Sequence, residues 1–240
     1  VLAILHALAR FLDALILKNT DAILVGGDAH DNYLKKIAPQ TPIITIPPSV
    51  HPLKKLTAKK KNYILMVTAW KEGKNPEYIF GLLKAYPKFA VVMAGKWLDP
   101  NLLKVFQKNV KVSGFTKQIT VTGQLSEGQL TQYYSEALFL LQTNDDRGFG
   151  LPALEAAGHG TTFLIPRGQG VCNLFTNGTH GYYVKEHDTN TIVKKISDLY
   201  EDKEKAKKMG KLAWGKVIKN YSWRQHAVKL VNLAKRYEKK

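Results

Sequence analysis

The sequence predicts an α/β fold, a Rossmann-like parallel sheet with helices on both faces. Three observations support this prediction. Short apolar segments alternate with segments of helical periodicity, an order typical of a parallel sheet with crossover helices. Several of the short segments are apolar throughout, as strands covered on both faces should be. The 240 residues, 45% of them hydrophobic, are enough for one large domain or two modest ones.

The elements follow one another in a regular order. Strands are predicted where short apolar runs end at Gly, Pro, Asn or Asp, at Ala22–Val25, Ile43–Ile46, Tyr63–Thr68, Ala90–Ala94, Ile119–Thr122, Leu138–Gln142, Thr162–Ile165 and Tyr182–Val184. Helices are predicted at Pro76–Tyr86, Asn101–Lys108, Glu127–Ala137, Leu151–Gly158, Val171–Phe175, Thr189–Tyr200 and Lys203–Asn220. Residues 1–17 form an amphipathic helix whose apolar face is Leu5, Leu8, Leu12, Leu15 and Ile16.

The chain is predicted to divide near residue 50, where Pro47, Pro48 and Pro52 stiffen the backbone ahead of a lysine-rich stretch. Residues 1–50 offer too few elements to close a core, so we interpret them as the remnant of an N-terminal domain. The other segments are a linker at 51–61, the main domain at 62–220 and a basic helix at 221–240 that we expect to cross back to the first domain. Because the chain begins with Val rather than Met, we expect it to be part of a longer or processed protein.

The chain is strongly basic, with 36 Lys and Arg against 19 Asp and Glu and a net charge of +17. This balance favours anionic partners such as phosphates, nucleic acid or an acidic membrane surface. Thirteen basic and two acidic residues lie between Lys203 and Lys240, a local balance of +11. Trp223, Leu230 and Tyr237 recur there at helical spacing, so one face packs and the other is charged. A solvated helix face and a surface for acidic lipids both fit, whereas nucleic acid fits less well because no aromatic-and-basic recognition motif accompanies the charge.

Metal-ligating and redox-active residues are few. Cys172 is the single cysteine, which excludes a disulfide scaffold and a cysteine-based zinc site and fits a reducing compartment such as the cytoplasm. His159, His180 and His187 are dispersed without ligand spacing, so we predict no metal site. No segment approaches the roughly 18 to 20 apolar residues of a membrane span.

The loops after the strands are the candidate sites, because parallel sheets bind ligands at the carboxyl ends of their strands. The loop after the third strand contains Lys71 and Lys74. Asn75 then suits a helix cap and Pro76 the first helical turn. Lysines beside a helix N-terminus favour the binding of a phosphate group. The alternative interpretation of this loop is a capped helix with two exposed lysines and no ligand. Trp70 is a candidate to stack on a base or a sugar.

The loop after the sixth strand is rich in glycine. Gly148 and Gly150 would let the backbone approach a ligand, and Pro152 opens the next helix. Glu155 lies about one turn into that helix, where its carboxylate can accept hydrogen bonds from a diol such as a ribose. The alternative is a packing helix with a glutamate favoured by the helix dipole. Asp146 and its acidic neighbour are more typical of a solvated turn than of a metal site.

The loop after the seventh strand, Pro166–Asn173, places Gly168 and Gly170 ahead of a predicted helix. Such a turn is a candidate phosphate cradle, and a purely structural turn is the alternative. The loop lacks the Lys and the Ser or Thr of a P-loop, so it does not indicate an NTPase.

Several segments match a known family in their residue patterns and in their order along the chain. They are Ile64–Val67, Lys74–Glu77, Ala90–Gly95, Val121–Ser126, Gly148–Ala156, Asn177–Tyr182 and Tyr221–Trp223. Together they resemble the C-terminal half of retaining glycosyltransferases of the GT-B fold, the family-four or group 1 type. Asp21–Val25 and Ile46–Val50 resemble the close of that family's N-terminal domain. The run from Gly148 to Glu155 is the most specific part of the resemblance.

The resemblance implies two Rossmann-like domains facing each other across a cleft. The C-terminal domain would bind a nucleotide-sugar, with a UDP- or GDP-sugar expected, and the N-terminal domain would bind the acceptor. A glycan, a lipid-linked molecule or a small molecule is the expected acceptor, and a lipid-linked one would hold the enzyme at the cytoplasmic face of a membrane. Members of the family transfer the sugar, typically a hexose, with retention and usually without a bound metal. Positive groups stabilise the departing diphosphate instead.

The resemblance also implies roles for single residues. The donor-binding residues would be Lys71, Lys74, Gln124, Leu125, Gly148, Phe149, Gly150, Leu151 and Glu155. Among them Lys74 would hold the diphosphate and Glu155 the ribose hydroxyls. The backbone around Gly150 would approach the donor sugar or its phosphates, and the segment at Gln124 would lie along the base. The catalytic candidates are Glu155, Lys74, Arg147 and Asp146.

The sequence departs from the family pattern at three positions. The family places a second carboxylate eight positions before Glu155, where this chain has Arg147 beside Asp146. Either Arg147 favours an acidic sugar, or Asp146 replaces the carboxylate in a shifted loop. The family's phosphate-binding arginine corresponds to Ala69, and its glutamate after the Gly-Gly turn corresponds to Asn173. A nucleotide-sugar-binding module without transfer activity is therefore an alternative function, and a basic module for acidic membranes or nucleic acid is a third.

Overall fold

The computed structural model describes residues 2–27, 31–143, 148–185 and 188–238. The chain forms two compact units, one of residues 1–49 and 223–240 (unit 1) and one of residues 50–222 (unit 2). The strands are β1 Ile23–Val25, β2 Ile43–Thr45, β3 Tyr63–Val67, β4 Ala90–Ala94, β5 Ile119–Gly123, β6 Phe139–Leu141, β7 Thr162–Pro166 and β8 Tyr182–Val184. The helices are α1 Leu2–Lys18, α2 Asp31–Ile37, α3 Tyr78–Ala85, α4 Pro100–Val112, α5 Glu127–Glu136, α6 Leu151–Gly158, α7 Thr189–Glu201, α8 Lys203–Asn220 and α9 Trp223–Tyr237.

Unit 2 is built on a parallel sheet of six strands in the order β5-β4-β3-β6-β7-β8. Its strands lie where the apolar runs predicted them, and the predicted α/β fold class is confirmed. In this order β3 is central, since the chain proceeds from it outward to β4 and β5 and then returns to β6 on the other side. The loops after β3 and β6 therefore diverge, and such a switch point opens a crevice at the carboxyl edge of a sheet.

Each face of the sheet has its own hydrophobic core. Because consecutive strand residues point to opposite faces, the neighbours Ile64 and Leu65 belong to different cores. Ile64 packs with α3, α4 and α7, where Phe106 is fully buried. Leu65 packs with α5 and α6, where Tyr134 and Leu154 are fully buried. Helices on both faces explain why the central strands are apolar throughout.

Local signals explain where two of the helices begin. Ser126 and Gln129 form a reciprocal capping box at the start of α5, which satisfies two backbone N–H groups that the helix leaves unpaired. The Asp99 side chain accepts a hydrogen bond from the backbone N–H of Asn101 at 2.8 Å, with Pro100 following the cap. The predicted helix Asn101–Lys108 extends to Val112, and Val110 in its last turn is buried in the core on that face of the sheet.

The segment from residue 51 to 61, predicted as a linker, lies on the surface of unit 2. The Leu53 backbone N–H donates to the Gly158 carbonyl at 3.0 Å, and the Trp214 indole N–H donates to the Leu53 carbonyl at 2.8 Å. Further along, Lys61 forms a 2.6 Å ion pair with Glu136. These contacts fix the segment across the ends of α6 and α5.

Unit 1 contains the parallel pair β1–β2 with α1, α2 and α9. Its small core is Ile23, Leu34 and Ala38. The predicted amphipathic helix at residues 1–17 is present as α1, but the described residues of its apolar face are exposed, with Leu8 and Ile16 at 53% and 62%. In α9 the ring nitrogen Nδ1 of His226 lies 3.1 Å from the Pro47 carbonyl. Within the described ranges, none of the helices combines the length and apolar content that crossing a bilayer requires.

Candidate functional site

The loop after β3 places Lys74 at the switch point between β3 and β6. The Lys74 side chain is 8% exposed and lines a small cavity with Thr68 at the end of β3 and Thr143 beyond β6. Lys71, the other lysine predicted to bind a phosphate, is exposed. The two lysines of this loop are therefore in different environments, and Lys74 is the one held in the crevice.

Two predictions for this loop are wrong. Trp70 was expected to face a ligand, but it is 1% exposed and stacks on Trp97 with ring centroids 5.3 Å apart. Its indole N–H donates to the Ala94 carbonyl at 3.1 Å, so the ring anchors the loop to the sheet. Asn75 was expected to cap the helix at Pro76, but Asn75 has φ 47° and α3 begins only at Tyr78. The backbone N–H groups of Tyr78 and Ile79 donate to the carbonyls of Asn75 and Pro76, three residues earlier, so a turn precedes the helix.

The loops after β6 and β7 contact each other. The Gly170 backbone N–H donates to the Gly148 carbonyl at 3.2 Å, and the Val171 N–H donates to the Phe149 carbonyl at 2.7 Å. Gly150 has φ 86°, and a Cβ there would lie 2.4 Å from the Gln169 Oε1. Only glycine fits such a position without strain. The glycine pattern read from the sequence thus corresponds to a close backbone contact at the start of α6.

These bonds favour the structural turn over the phosphate cradle, the two alternatives for the loop after β7. The predicted helix Val171–Phe175 is a 3₁₀ turn at Gly170–Asn173. The backbone N–H groups of Gly170 and Val171 are already bound to carbonyls of the neighbouring loop. They cannot donate to a phosphate at the same time, so this turn supports the β6 loop.

Glu155 lies in the middle of α6 and faces α5. Its Oε2 accepts a hydrogen bond from the Tyr134 hydroxyl at 2.6 Å. Burial raises the pKa of Glu155, and the bond from Tyr134 opposes that shift because it stabilises the ionised carboxylate. The pKa of Tyr134 is also raised, mainly by burial and further by the charge of Glu155.

The remaining predicted donor residues lie at the same edge of the sheet in different settings. Gln124 is exposed after β5, whereas Leu125 and Phe149 are half-buried and pack against the core shared by α5 and α6. Leu151 is 45% exposed at the start of α6. The catalytic candidates Asp146 and Arg147 lie outside the described residues. In the part of the chain that the structure describes, no group of three or more His, Cys, Asp or Glu could hold a metal ion.

Two glutamines near the site were not among the residues that the sequence predicted for it. Gln142 follows β6 at 7% exposure, and Gln169 lies against Gly150 at 3% exposure. Both have a buried Oε1 that, among the described residues, accepts no hydrogen bond. An unpaired buried acceptor costs about 1 to 3 kcal/mol, so these oxygens are expected to meet a donor group when the site is filled. A polar residue directly after an apolar strand was the available signal for Gln142.

A half-buried lysine behind the site was also missed. Lys60 donates to the Thr161 hydroxyl, and its charge is among the causes that hold the pKa of His159 below its ordinary value, after burial. His159 donates from Nδ1 to the Glu155 carbonyl at 2.7 Å and stacks on Tyr134. The run of lysines around residue 60 gave no sign that one of them, Lys60, is partly buried between exposed neighbours.

We expect Lys60 to make stability depend on pH. Burial lowers its pKa from 10.5 to about 7, so between these values the unfolded chain binds more protons than the folded chain. The free energy of unfolding should therefore rise with pH from about 7 upward, by up to about 1.4 kcal/mol per pH unit. Urea unfolding between pH 7 and 9 measures this slope. Lys60→Met should flatten it and the exposed neighbour Lys59→Met should not. An equal slope in all three proteins would contradict the buried amine.

A larger cavity of about 300 Å³ lies between α4 and β5, lined by residues that include Gln107, Lys111 and Ile119. It is near the amino end of β5, at the edge of the sheet opposite the loops that follow β3, β6 and β7. Because ligands of such sheets bind at the carboxyl ends of the strands, we do not assign the site to it.

The fold and the loops at its carboxyl edge define unit 2 as a Rossmann-like domain of the GT-B type. The chain belongs to the family described as glycosyl transferases group 1, whose model matches residues 51–214. The resemblance noted in the sequence is therefore confirmed at the level of the family. The matched range lies within unit 2.

Individual relatives agree with this assignment. A sucrose synthase from Melioribacter roseus is 34% identical over 94 residues, which cover 38% of this chain and 12% of that protein. The structure of a sucrose-phosphate synthase from Thermosynechococcus elongatus superposes with a TM-score of 0.81 at 20% identity, covering 95% of this chain and 61% of that one. A glycosyltransferase from Rickettsia africae gives a TM-score of 0.80 at 15% identity, covering 95% and 66%. The chain thus spans less than two thirds of the length of each of these proteins.

Proposed function

We propose that this chain is the donor-binding part of a retaining glycosyltransferase that transfers a hexose from a nucleoside diphosphate to an acceptor. One observation carries the proposal: Lys74 is buried at the switch point between β3 and β6, where it lines a cavity with Thr68 and Thr143. A cation held in a crevice is suited to a diphosphate, because its attraction is less screened there than in water. The same charge would stabilise the diphosphate as it leaves.

The proposed roles of the other residues follow from their positions. Glu155 would accept hydrogen bonds from the ribose hydroxyls, and the backbone from Phe149 to Leu151 would approach the sugar or its phosphates. Gln124 and Leu125 would lie along the base. Either Asp146 supplies a carboxylate at the sugar, or Arg147 adapts the site to an acidic sugar.

A uridine nucleotide is the donor we propose first. HepE from Anabaena, with a TM-score of 0.77 at 12% identity, has been solved in complex with UDP, and the pneumococcal O-GlcNAc transferase GtfA in complex with UDP and GlcNAc. At such low identity these similarities show the fold alone. We use them only to decide that uridine nucleotides are tested before the other nucleotides. GDP and ADP sugars are the alternatives.

The acceptor is proposed to be a glycan or a lipid-linked sugar. TarM from S. aureus has been solved with UDP and α-GlcNAc-glycerol. In this chain α9 exposes Trp223 and Val231 beside basic residues, a pattern suited to an acidic lipid surface at the cytoplasmic face of a membrane. Assays should therefore compare soluble acceptors with lipid-linked acceptors in anionic vesicles. Equal use of both would contradict the membrane part of the proposal.

Nucleotide binding by the chain tests the proposal first. A ligand that binds only the folded state raises the melting temperature of the protein. Because a uridine nucleotide is the proposed donor, we expect UDP to raise this temperature more than GDP or ADP does. Glu155→Ala should abolish most of this rise because the ribose loses its acceptor. No shift with any of the three nucleotides or their sugar conjugates would contradict donor binding.

A binding module without transfer activity is the second candidate, and a specific residue favours it. Ala69, at the position where the family has a phosphate-binding arginine, offers no charged group. Binding of UDP-sugar without hydrolysis or transfer by the full-length protein would favour this module over the enzyme.

A further inference from the structure

Tyr134 is held on three sides beside Glu155. The ring is fully buried in the last turn of α5 and stacks on His159 with centroids 5.4 Å apart. Its backbone carbonyl accepts a hydrogen bond from the Thr161 hydroxyl. The hydroxyl donates to Glu155 Oε2 at 2.6 Å, a short distance typical of a bond to an ionised carboxylate. Burial, the stacking contact and the hydrogen bond to Glu155 hold the ring and its hydroxyl in this position.

The carboxylate of Glu155 keeps acceptor capacity beyond this bond. Within the described ranges, Tyr134 is the side-chain hydrogen-bond partner of Glu155, and it engages one oxygen. An ionised carboxylate offers about four acceptor positions. Glu155 is also only partly buried, so its carboxylate can accept a further hydroxyl donor while Oε2 holds the bond from Tyr134.

We infer that Tyr134 is a positioning residue that fixes Glu155 for the ribose and so makes the site prefer ribonucleotides over deoxyribonucleotides. The inference rests on the proposed function, because it assumes that a nucleoside diphosphate occupies the site. A carboxylate fixed before binding loses less conformational freedom when the ribose arrives. A freely rotating Glu155 would contact the ribose less often and distinguish the hydroxyls less well.

The groups around Glu155 favour its acceptor role. Burial favours the protonated acid, which would give up part of its acceptor capacity, and the Tyr134 hydroxyl opposes this by stabilising the ionised form. The other titratable groups that face this region are His159, one turn further along α6, and Lys60 from the segment before β3. Among these neighbours, only Tyr134 donates directly to the carboxylate oxygens.

The test compares Tyr134→Phe with Tyr63→Phe in the complete 240-residue chain. Tyr63 is a matched control because it is also buried and its hydroxyl donates to the Tyr133 carbonyl at 2.7 Å, away from Glu155. Calorimetry would measure the dissociation constants of UDP, 2′-deoxy-UDP and 3′-deoxy-UDP. Both variants lose one buried hydroxyl bond, so similar losses of thermal stability are expected in both.

We expect the wild type and Tyr63→Phe to bind UDP roughly tenfold or more tightly than at least one deoxy analogue. In Tyr134→Phe this ratio should fall to about twofold, with the affinity for the deoxy analogues nearly unchanged. A ratio in Tyr134→Phe equal to that of the wild type would overturn the positioning role and leave the proposed function standing. A wild type that binds UDP and both analogues equally would overturn the ribose assignment. A wild type that binds no nucleotide would overturn the proposed function itself.

Discussion

Replacing Lys74 with alanine is expected to weaken the binding of UDP by roughly 100-fold, about 2.7 kcal/mol. Lys74 is 8% exposed and lines the crevice at the ends of β3 and β6. Two unit charges about 4 Å apart interact by about 4 kcal/mol near a protein surface, and replacing water and other contacts reduces this value. Uridine lacks the diphosphate, so its affinity should stay within about twofold of the wild type. Calorimetry with both ligands measures the difference.

Lys96→Ala is the control for this experiment. Lys96 is an exposed lysine in the loop after β4, at the same edge of the sheet, and its loss changes the net charge by the same amount. We expect less than a threefold change in UDP affinity, and this small change should shrink further at high salt because exposed charges are screened. Equal losses in Lys74→Ala and Lys96→Ala would show that UDP responds to the net charge of the chain rather than to the crevice.

Replacing Gly210 with alanine is expected to lower the free energy of unfolding by about 3 kcal/mol. Gly210 lies in α8, where a Cβ would be 2.3 Å from the Gly160 carbonyl oxygen and 3.1 Å from the Thr162 backbone nitrogen. These are backbone atoms at the start of β7, so no side-chain rotation relieves the overlap. The helix must move away from the sheet, and the core it shares with α6 loosens.

Gly215→Ala provides the matched control in the same helix. A Cβ at Gly215 meets nothing within 4 Å, so the substitution should raise stability by up to about 1 kcal/mol through helix propensity. Urea unfolding monitored by circular dichroism measures both variants. A Gly210→Ala protein as stable as Gly215→Ala would contradict the close approach of α8 to β7.

The sheet and its order of elements were predictable because the signal is local. Fully apolar runs such as Ile64–Val67 and Phe139–Leu141 are typical of strands buried on both faces, and the glycines between them mark the turns. Gly150 was also informative, because the left-handed backbone at this position favours a residue without a Cβ atom. The parallel topology was also sufficient to propose the carboxyl edge of the sheet as the candidate site.

The contacts that refine the site were not predictable from the sequence. Asn75 suits both a helix cap and a left-handed turn, and the packing of the loop decides between them. The environment of Glu155 depends on how α5 approaches α6, so its partner Tyr134 could not be found from spacing along the chain. Lys60 resembles the exposed lysines beside it, and only the docking of residues 51–61 on unit 2 distinguishes it. Long-range packing determines all three.

A structure determined with UDP bound would test the central claim most directly. We predict that the diphosphate lies within hydrogen-bond distance of the Lys74 Nζ and of the backbone between Phe149 and Leu151, with the ribose on Glu155. A diphosphate bound elsewhere on the chain, or a ribose that leaves Glu155 without a contact, would contradict the account.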